Sequence, residues 1–207
     1  MLFEGKVGRI QSTSGSTEEA RLAKTGGVLV AQDFARYQNA VESGNVYASA
    51  NQSGVTSQAG LSLTTPVLTL YNPAGSGKNA IIWYTSCIFL VAFAAASAIF
   101  VAAGTNVNAA AVTGTDATVR NAKLGASLAN ACKPYLAATL PAAPVAVGLL
   151  GVCLTGAINT VPVAIPLERW YDGGLMLKPG CNLSLQTSTA SGASAMLCEY
   201  IWEEVSE

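Results

Sequence analysis

Asn72-Pro73-Ala74-Gly75-Ser76-Gly77-Lys78-Asn79 is a cluster of turn formers. It opens onto a run from Ala80 to Ala103 that carries no charged residue. The reading of that run decides the fold. As a helix it is long enough to cross a bilayer, which takes about 20 apolar residues, and residues 80–103 would then anchor a membrane protein. Three features favour buried β-strands instead. Ile81, Ile82, Trp83, Tyr84 and Thr85 are β-branched or aromatic and suit a pleated surface. Lys78 is the only nearby cation, and the next charge beyond the run is Asp116, so there is no positive-charge asymmetry of the kind that orients a span. Ala94-Ala95-Ala96-Ser97 offers small side chains for a crowded bend. Strands are therefore expected near 80–92 and 97–103, followed by a loop over 104–114.

The loop before the run resembles the end of a phosphate-binding loop at Gly75-Ser76-Gly77-Lys78. That motif needs a glycine five positions before the Gly-Lys pair and a Ser or Thr after the lysine. Asn72 and Asn79 stand there instead. Gly75 and Gly77 are better read as turn residues taking positive φ.

Working outward, the composition is unusual. Of 207 residues, 51% are hydrophobic and only 11% charged, under half of the usual share of about 25%. Such a deficit suits a subunit whose surface is covered by partners, since obligate interfaces are more apolar than ordinary surface. A net charge of −1 argues against capture of nucleic acid, which needs a basic patch. Histidine is absent, which removes the commonest general base and metal ligand. Cys87, Cys132, Cys153, Cys181 and Cys198 have no CxxC spacing, so they read as buried thiols rather than a zinc site or a disulfide framework. Met1 to Ile10 is charged and has no apolar core, so no cleavable signal peptide is expected.

Residues 1–50 hold most of the charge and read as an N-terminal arm, partly helical or extended, that docks on a neighbouring subunit. Ser16-Thr17-Glu18-Glu19 fits a capping box ended by Gly26-Gly27, and Val28-Leu29-Val30 fits a short strand. Phe34, Tyr37 and Val41 fall at helical spacing before Gly44. Residues 51–207 read as a β-sandwich. Leu61, Leu63 and Thr65 alternate with Ser62 and Thr64 as on a half-buried strand, and Val67 to Tyr71 continues after the interruption at Pro66. Leu124, Leu128 and Ala131 allow a short helix within 117–131, weakened by Gly125. Pro134 to Leu167 is a second charge-free stretch whose prolines break helices and bound strands. In it, Val145 to Leu154 is expected to be a buried strand and Val161 to Ile165 a short edge. Near the carboxy terminus, Leu175, Leu177, Leu183 and Leu185 flank a Pro179-Gly180 turn. Ser194 to Trp202 is a strand with Met196, Cys198, Tyr200 and Trp202 on one face, and Glu203-Glu204 is expected in solvent. Short strands between Gly, Pro, Ser and Asn turns indicate an all-β, jelly-roll-type sandwich.

Three segments carry a resemblance. Leu70 to Asn79, Asp172 to Gly180 and the ending Trp202-Glu203-Glu204-Val205 resemble loops and strands of small jelly-roll virion proteins of tailed bacteriophages, a family of decoration, cement and fibre-like proteins. The likeness spans residues 44–205, with a departure in the Ala- and Val-rich middle. It implies a jelly-roll fold, self-association as a homotrimer, contact with a major capsid protein, and a place on the outer capsid surface after synthesis in the host bacterial cytoplasm. It implies no nucleic-acid or membrane partner. Two other readings are a receptor-binding fibre or tail-tip module recognising host glycans, and a viral membrane protein anchored by residues 80–103.

Catalytic chemistry finds little footing. Glu168, Asp172, Glu199, Glu203 and Glu204 are the candidate carboxylates for a glycosidase pair, and solvated acids and ion pairs are the expectation. No Gly-x-Ser-x-Gly elbow is present, and no histidine can activate a nucleophile. The chain reads as a non-enzyme with no cofactor and no metal. Trp83, Trp170, Tyr171 and Trp202, with Phe34 and Tyr37 of the arm, are the interface candidates, since Trp and Tyr concentrate in cores and at interfaces.

Overall fold

The alternation Met196, Cys198, Tyr200, Trp202 places one apolar side chain every second residue, which is the period of a strand lying on a core. The computed structural model describes residues 37–91, 93, 95–105, 110–153, 166–192 and 195–207, and there this segment is strand β11, Met196–Ser206, with alternate residues buried from Met196 to Glu204. The chain divides into two compact units, Met1–Asn39 and Ala40–Glu207. Phe34, the capping box and Val28–Val30 lie outside the described residues.

The second unit is an all-β sandwich of two antiparallel sheets. After a short helix α1 (Gln38–Glu42), its strands are β1 (Val46–Ala50), β2 (Thr69–Tyr71), β3 (Lys78–Phe89), β4 (Ser97–Thr105), β5 (Thr113–Asp116), β6 (Val119–Asn121), β7 (Lys133–Thr139), β8 (Val145–Cys153), β9 (Leu167–Leu177), β10 (Cys181–Thr187) and β11. The first sheet runs β6-β1-β11-β3-β9 and the second β5-β7-β2-β10-β4-β8. Among the described strands, no two that are consecutive in the chain are neighbours in a sheet. β1 lies within the stretch read as arm, yet it pairs with both β11 and β6 (Tyr47 with Trp202 and with Asn121).

The charge-free run from Ala80 becomes most of β3 and β4, one strand in each sheet, with Ile82, Cys87, Phe89, Ile99 and Val101 turned into the shared core. A membrane-spanning helix over 80–103 is thereby excluded, and no helix among the described residues is long and apolar enough to cross a membrane. The turn in front of the run is organised by Asn72, which is fully buried. Its Nδ2 donates to the carbonyls of Lys78 (2.7 Å) and Leu177 (3.0 Å), and its Oδ1 accepts from the Ser76 hydroxyl (2.6 Å). The Ser76 amide donates to the Pro73 carbonyl (3.1 Å), closing a turn with Gly75 at φ 75°. Gly75 and Gly77 (φ 65°) both occupy the left-handed region that glycine tolerates.

Four expectations are corrected. Leu61 and Leu63 are exposed and belong to no named strand, and Thr65 has φ 54°. The 117–131 segment forms β6 rather than a helix, because Tyr47, Ala48 and Ser49 of β1 offer a ladder to Val119–Asn121. β8 is formed where expected but is largely exposed instead of buried. Glu204 does not lie in solvent: it is buried, its Oε2 accepting from the Ala131 amide (2.7 Å) and its Oε1 from the Cys132 amide (2.9 Å) and the Trp202 indole N–H (3.0 Å). Val161–Ile165 lies outside the described residues.

Candidate assembly surface

Among the described strands, β8 and β9 are the outermost of their sheets on one side of the sandwich. β8 reads Val-Ala-Val-Gly-Leu-Leu-Gly-Val-Cys, without a charge. Its ladder with β4 slips twice, between Ile99 and Phe100 and between Val101 and Ala102. These bulges leave Leu150 and Val147 without direct partners, and they re-aim the strand, as bulges at sheet edges do. Val145, Val147, Leu149 and Val152 remain exposed, Val145 at 68% and Leu149 at 63%. Across the gap between the sheets, the glycines of β8 receive side chains of β9. A Cβ at Gly148 would stand 2.9 Å from Arg169 Nη1 and 3.2 Å from the Tyr171 hydroxyl; at Gly151 it would stand 2.9 Å from Leu167. Arg169 reaches over the Tyr171 ring, 5.0 Å from its centroid, with Nη1 3.4 Å from the Leu149 carbonyl. β9 thus closes this flank of the sandwich from inside, and the apolar side chains of β8 are left outside.

The outward face of β9, on the other sheet, carries exposed apolar side chains of its own. Trp170 is 54% exposed and Met176 is half exposed. The Trp170 ring lies 4.6 Å from that of Tyr84, its register partner. Along the same face, Ser86 of β3 pairs in register with Glu168 on one side and Glu199 on the other. The Tyr84 hydroxyl donates to Glu168 (2.8 Å) and the Ser86 hydroxyl to Glu199 (2.7 Å). Burial, followed by the hydrogen bond it donates to the Glu168 carboxylate, raises the Tyr84 phenol above its ordinary value. Two of the five candidate carboxylates are therefore brought to either side of one serine. Asp172 is exposed at φ 50°, and Glu204 is held in the interior. Among the described residues no group of His, Cys, Asp and Glu is placed to hold a metal.

The aromatic candidates separate into two kinds. Trp202 is fully buried, its ring 5.9 Å from that of Tyr47, and Trp83 is almost so. Trp83 occupies the bulge of β3, where both neighbouring ladders slip. Both are core side chains, not surface anchors. Tyr171 is half-buried and is raised above the ordinary phenol value by burial. Tyr37 is half-buried just ahead of α1. Trp170 alone among the described tryptophans faces outward. The exposed β8 valines and leucine were missed, because an apolar run reads the same whether a strand has one neighbour or two.

The arrangement defines an antiparallel β-sandwich with an exposed, charge-free strand, β8, along one flank. Comparison with protein-family models, with curated proteins and with solved structures finds no match for this chain.

Proposed function

We propose that this chain is a structural virion protein of a tailed bacteriophage, a decoration or cement subunit that assembles as a homotrimer on the major capsid protein at the outer capsid surface. The sequence resemblance in the Asn72 loop, the Asp172–Gly180 segment and the Trp202–Val205 ending supports it. The observation that carries it is β8, a strand without charge whose valines and leucine stay exposed at a sheet edge. Soluble proteins usually blunt such edges with charge or cover them, and contiguous exposed apolar patches mark interaction sites. Covering one contributes about 25 cal/mol per Å² of apolar surface, so repeated contacts of this kind can lock a shell. The test is quantitative mass spectrometry of purified particles. Hundreds of copies per particle are expected, and absence from the particle would defeat the assignment.

A second reading has its own observation. Trp170 packed at a tilt against Tyr84, with Glu168 and Glu199 nearby, offers an aromatic platform with acceptors beside it, which suits a fibre or tail-tip module binding host glycans. A handful of copies per particle, with glycan-array binding lost on Trp170→Ala, would favour it.

A further inference from the structure

The flank opposite β8 and β9 also carries exposed apolar side chains. There β5 and β6 are the last described strands of the two sheets, and the chain beyond β6 makes a turn in which the Ala126 amide donates to the Lys123 carbonyl (3.0 Å) with Gly125 at φ 91°. That turn holds Leu124 out at 85% exposure. Leu128, half exposed, walls a cleft of about 270 Å³ together with Asp116, Val119 and Lys133. Cavities of about 150 Å³ already admit a benzene ring, so the cleft has room for an aromatic side chain.

The two flanks differ in charge. Around Leu124 lie Arg120, Lys123 and Lys133 against Asp116 and Glu42, and Lys123 pairs with Glu42 at 3.3 Å. On β9 lie Glu168 and Asp172 against Arg169. One flank leans basic and the other acidic, which favours their meeting over either meeting itself. The two bulges of β8 also spoil it as a template for direct strand addition, which requires a regular row of backbone groups. The flank therefore offers side chains rather than a ladder.

We propose that copies of this chain associate head to tail, the β8/β9 flank of one against the Leu124–Leu128 segment of the next, with Trp170 entering the cleft beside Leu128. This rests on the reading of the chain as a self-assembling subunit, and it names the two surfaces. Because they are different patches, the contact is heterologous, and successive copies close into a ring or extend as a filament.

The test uses the full chain and sedimentation velocity with light scattering. One variant carries Leu124→Glu and Leu128→Glu; the other carries Leu149→Glu and Trp170→Ala. Each alone is expected to be monomeric where the unchanged protein is oligomeric, with association weakened at least about tenfold. Mixed in equal amounts, the two retain one intact pair of surfaces and are expected to form a one-to-one dimer and nothing larger. Normal assembly of the Leu124→Glu, Leu128→Glu chain would overturn the proposal in favour of flank-to-like-flank pairing. A mixture that stays monomeric, or an unchanged protein that is monomeric, would also overturn it. Far-ultraviolet circular dichroism confirms folding of each variant, and Leu124→Ser with Leu128→Ser replaces the glutamates if they unfold the chain. Copy number on purified particles is read separately. High copy number with a monomeric chain would remove this interface and leave the virion assignment standing.

Discussion

β8 and β11 invert the usual relation between charge and burial. β8 has no charged residue and is mostly exposed, whereas β11 carries Glu199, Glu203 and Glu204 and buries every second side chain down to Glu204. The difference lies in neighbours. β11 is paired by β1 and β3 and covered by the opposite sheet, while β8 is paired by β4 alone among the described residues. Even a carboxylate is tolerated inside where N–H donors converge on it. Topological position, more than residue polarity, decides which strand faces water.

The strongest way to break this contrast is at Trp202. Trp202→Ala is expected to destabilise folding by about 3–5 kcal/mol, the range for an aromatic removed from a packed core, read as a lowered urea midpoint. A loss below about 1 kcal/mol would mean that β11 is less central than its burial implies. Next in size is Glu204→Gln. The new amide NH₂ must face either the Ala131 N–H or the Cys132 and indole N–H groups, leaving a buried donor unsatisfied at about 1–3 kcal/mol. Unchanged chemical denaturation would contradict the role given to this carboxylate.

A smaller effect is expected from alkaline pH. Burial raises the Cys132 and Cys198 thiols above their ordinary 9.0 and the Tyr47 and Tyr200 phenols above 10.0. For Cys132 and Tyr47 the Glu204 carboxylate adds to the shift. The folded state then keeps protons that the unfolded chain releases, so stability is retained below those ordinary values and falls as pH rises above them. Urea midpoints in reductant should drop steadily from pH 8 upward. A midpoint that is flat or rises would count against burial of these groups. Smallest of all for folding is Leu149→Glu on β8, expected to stay within about 0.5 kcal/mol as surface substitutions do, while self-association falls. A large loss of stability there would make β8 a core strand after all.

Some of this was legible in the sequence. Asn72 to Asn79 announced a turn, and its glycines have the φ that only such a turn demands. β3, β4 and β8 follow from apolar runs bounded by Gly, Pro and Ser, β10 from Leu183 and Leu185 after the Pro179-Gly180 turn, and β11 from the alternation of Met196, Cys198, Tyr200 and Trp202. The exposure of β8 was not legible, because Val145–Cys153 has the composition of a central strand and only its place in the sheet exposes it. Nor was the burial of Glu204, whose donors come from Ala131 and Cys132, far away in the chain. The strand at Val119–Asn121 depends on β1 in the same way. Of the assembly surface, Trp170 was named, but Leu124 was placed on a helix when a turn holds it out.

Among the described strands, none that are consecutive in the chain are neighbours in a sheet, and this bears on how the protein is made. Tyr47 leaves the ribosome long before its partner Trp202 exists, so the first sheet cannot close during most of synthesis. Nascent chains must wait with their greasy segments unshielded. Slow maturation of this kind, set by non-local pairing, would make yield sensitive to temperature and to chaperone supply more than to the stability of the finished fold.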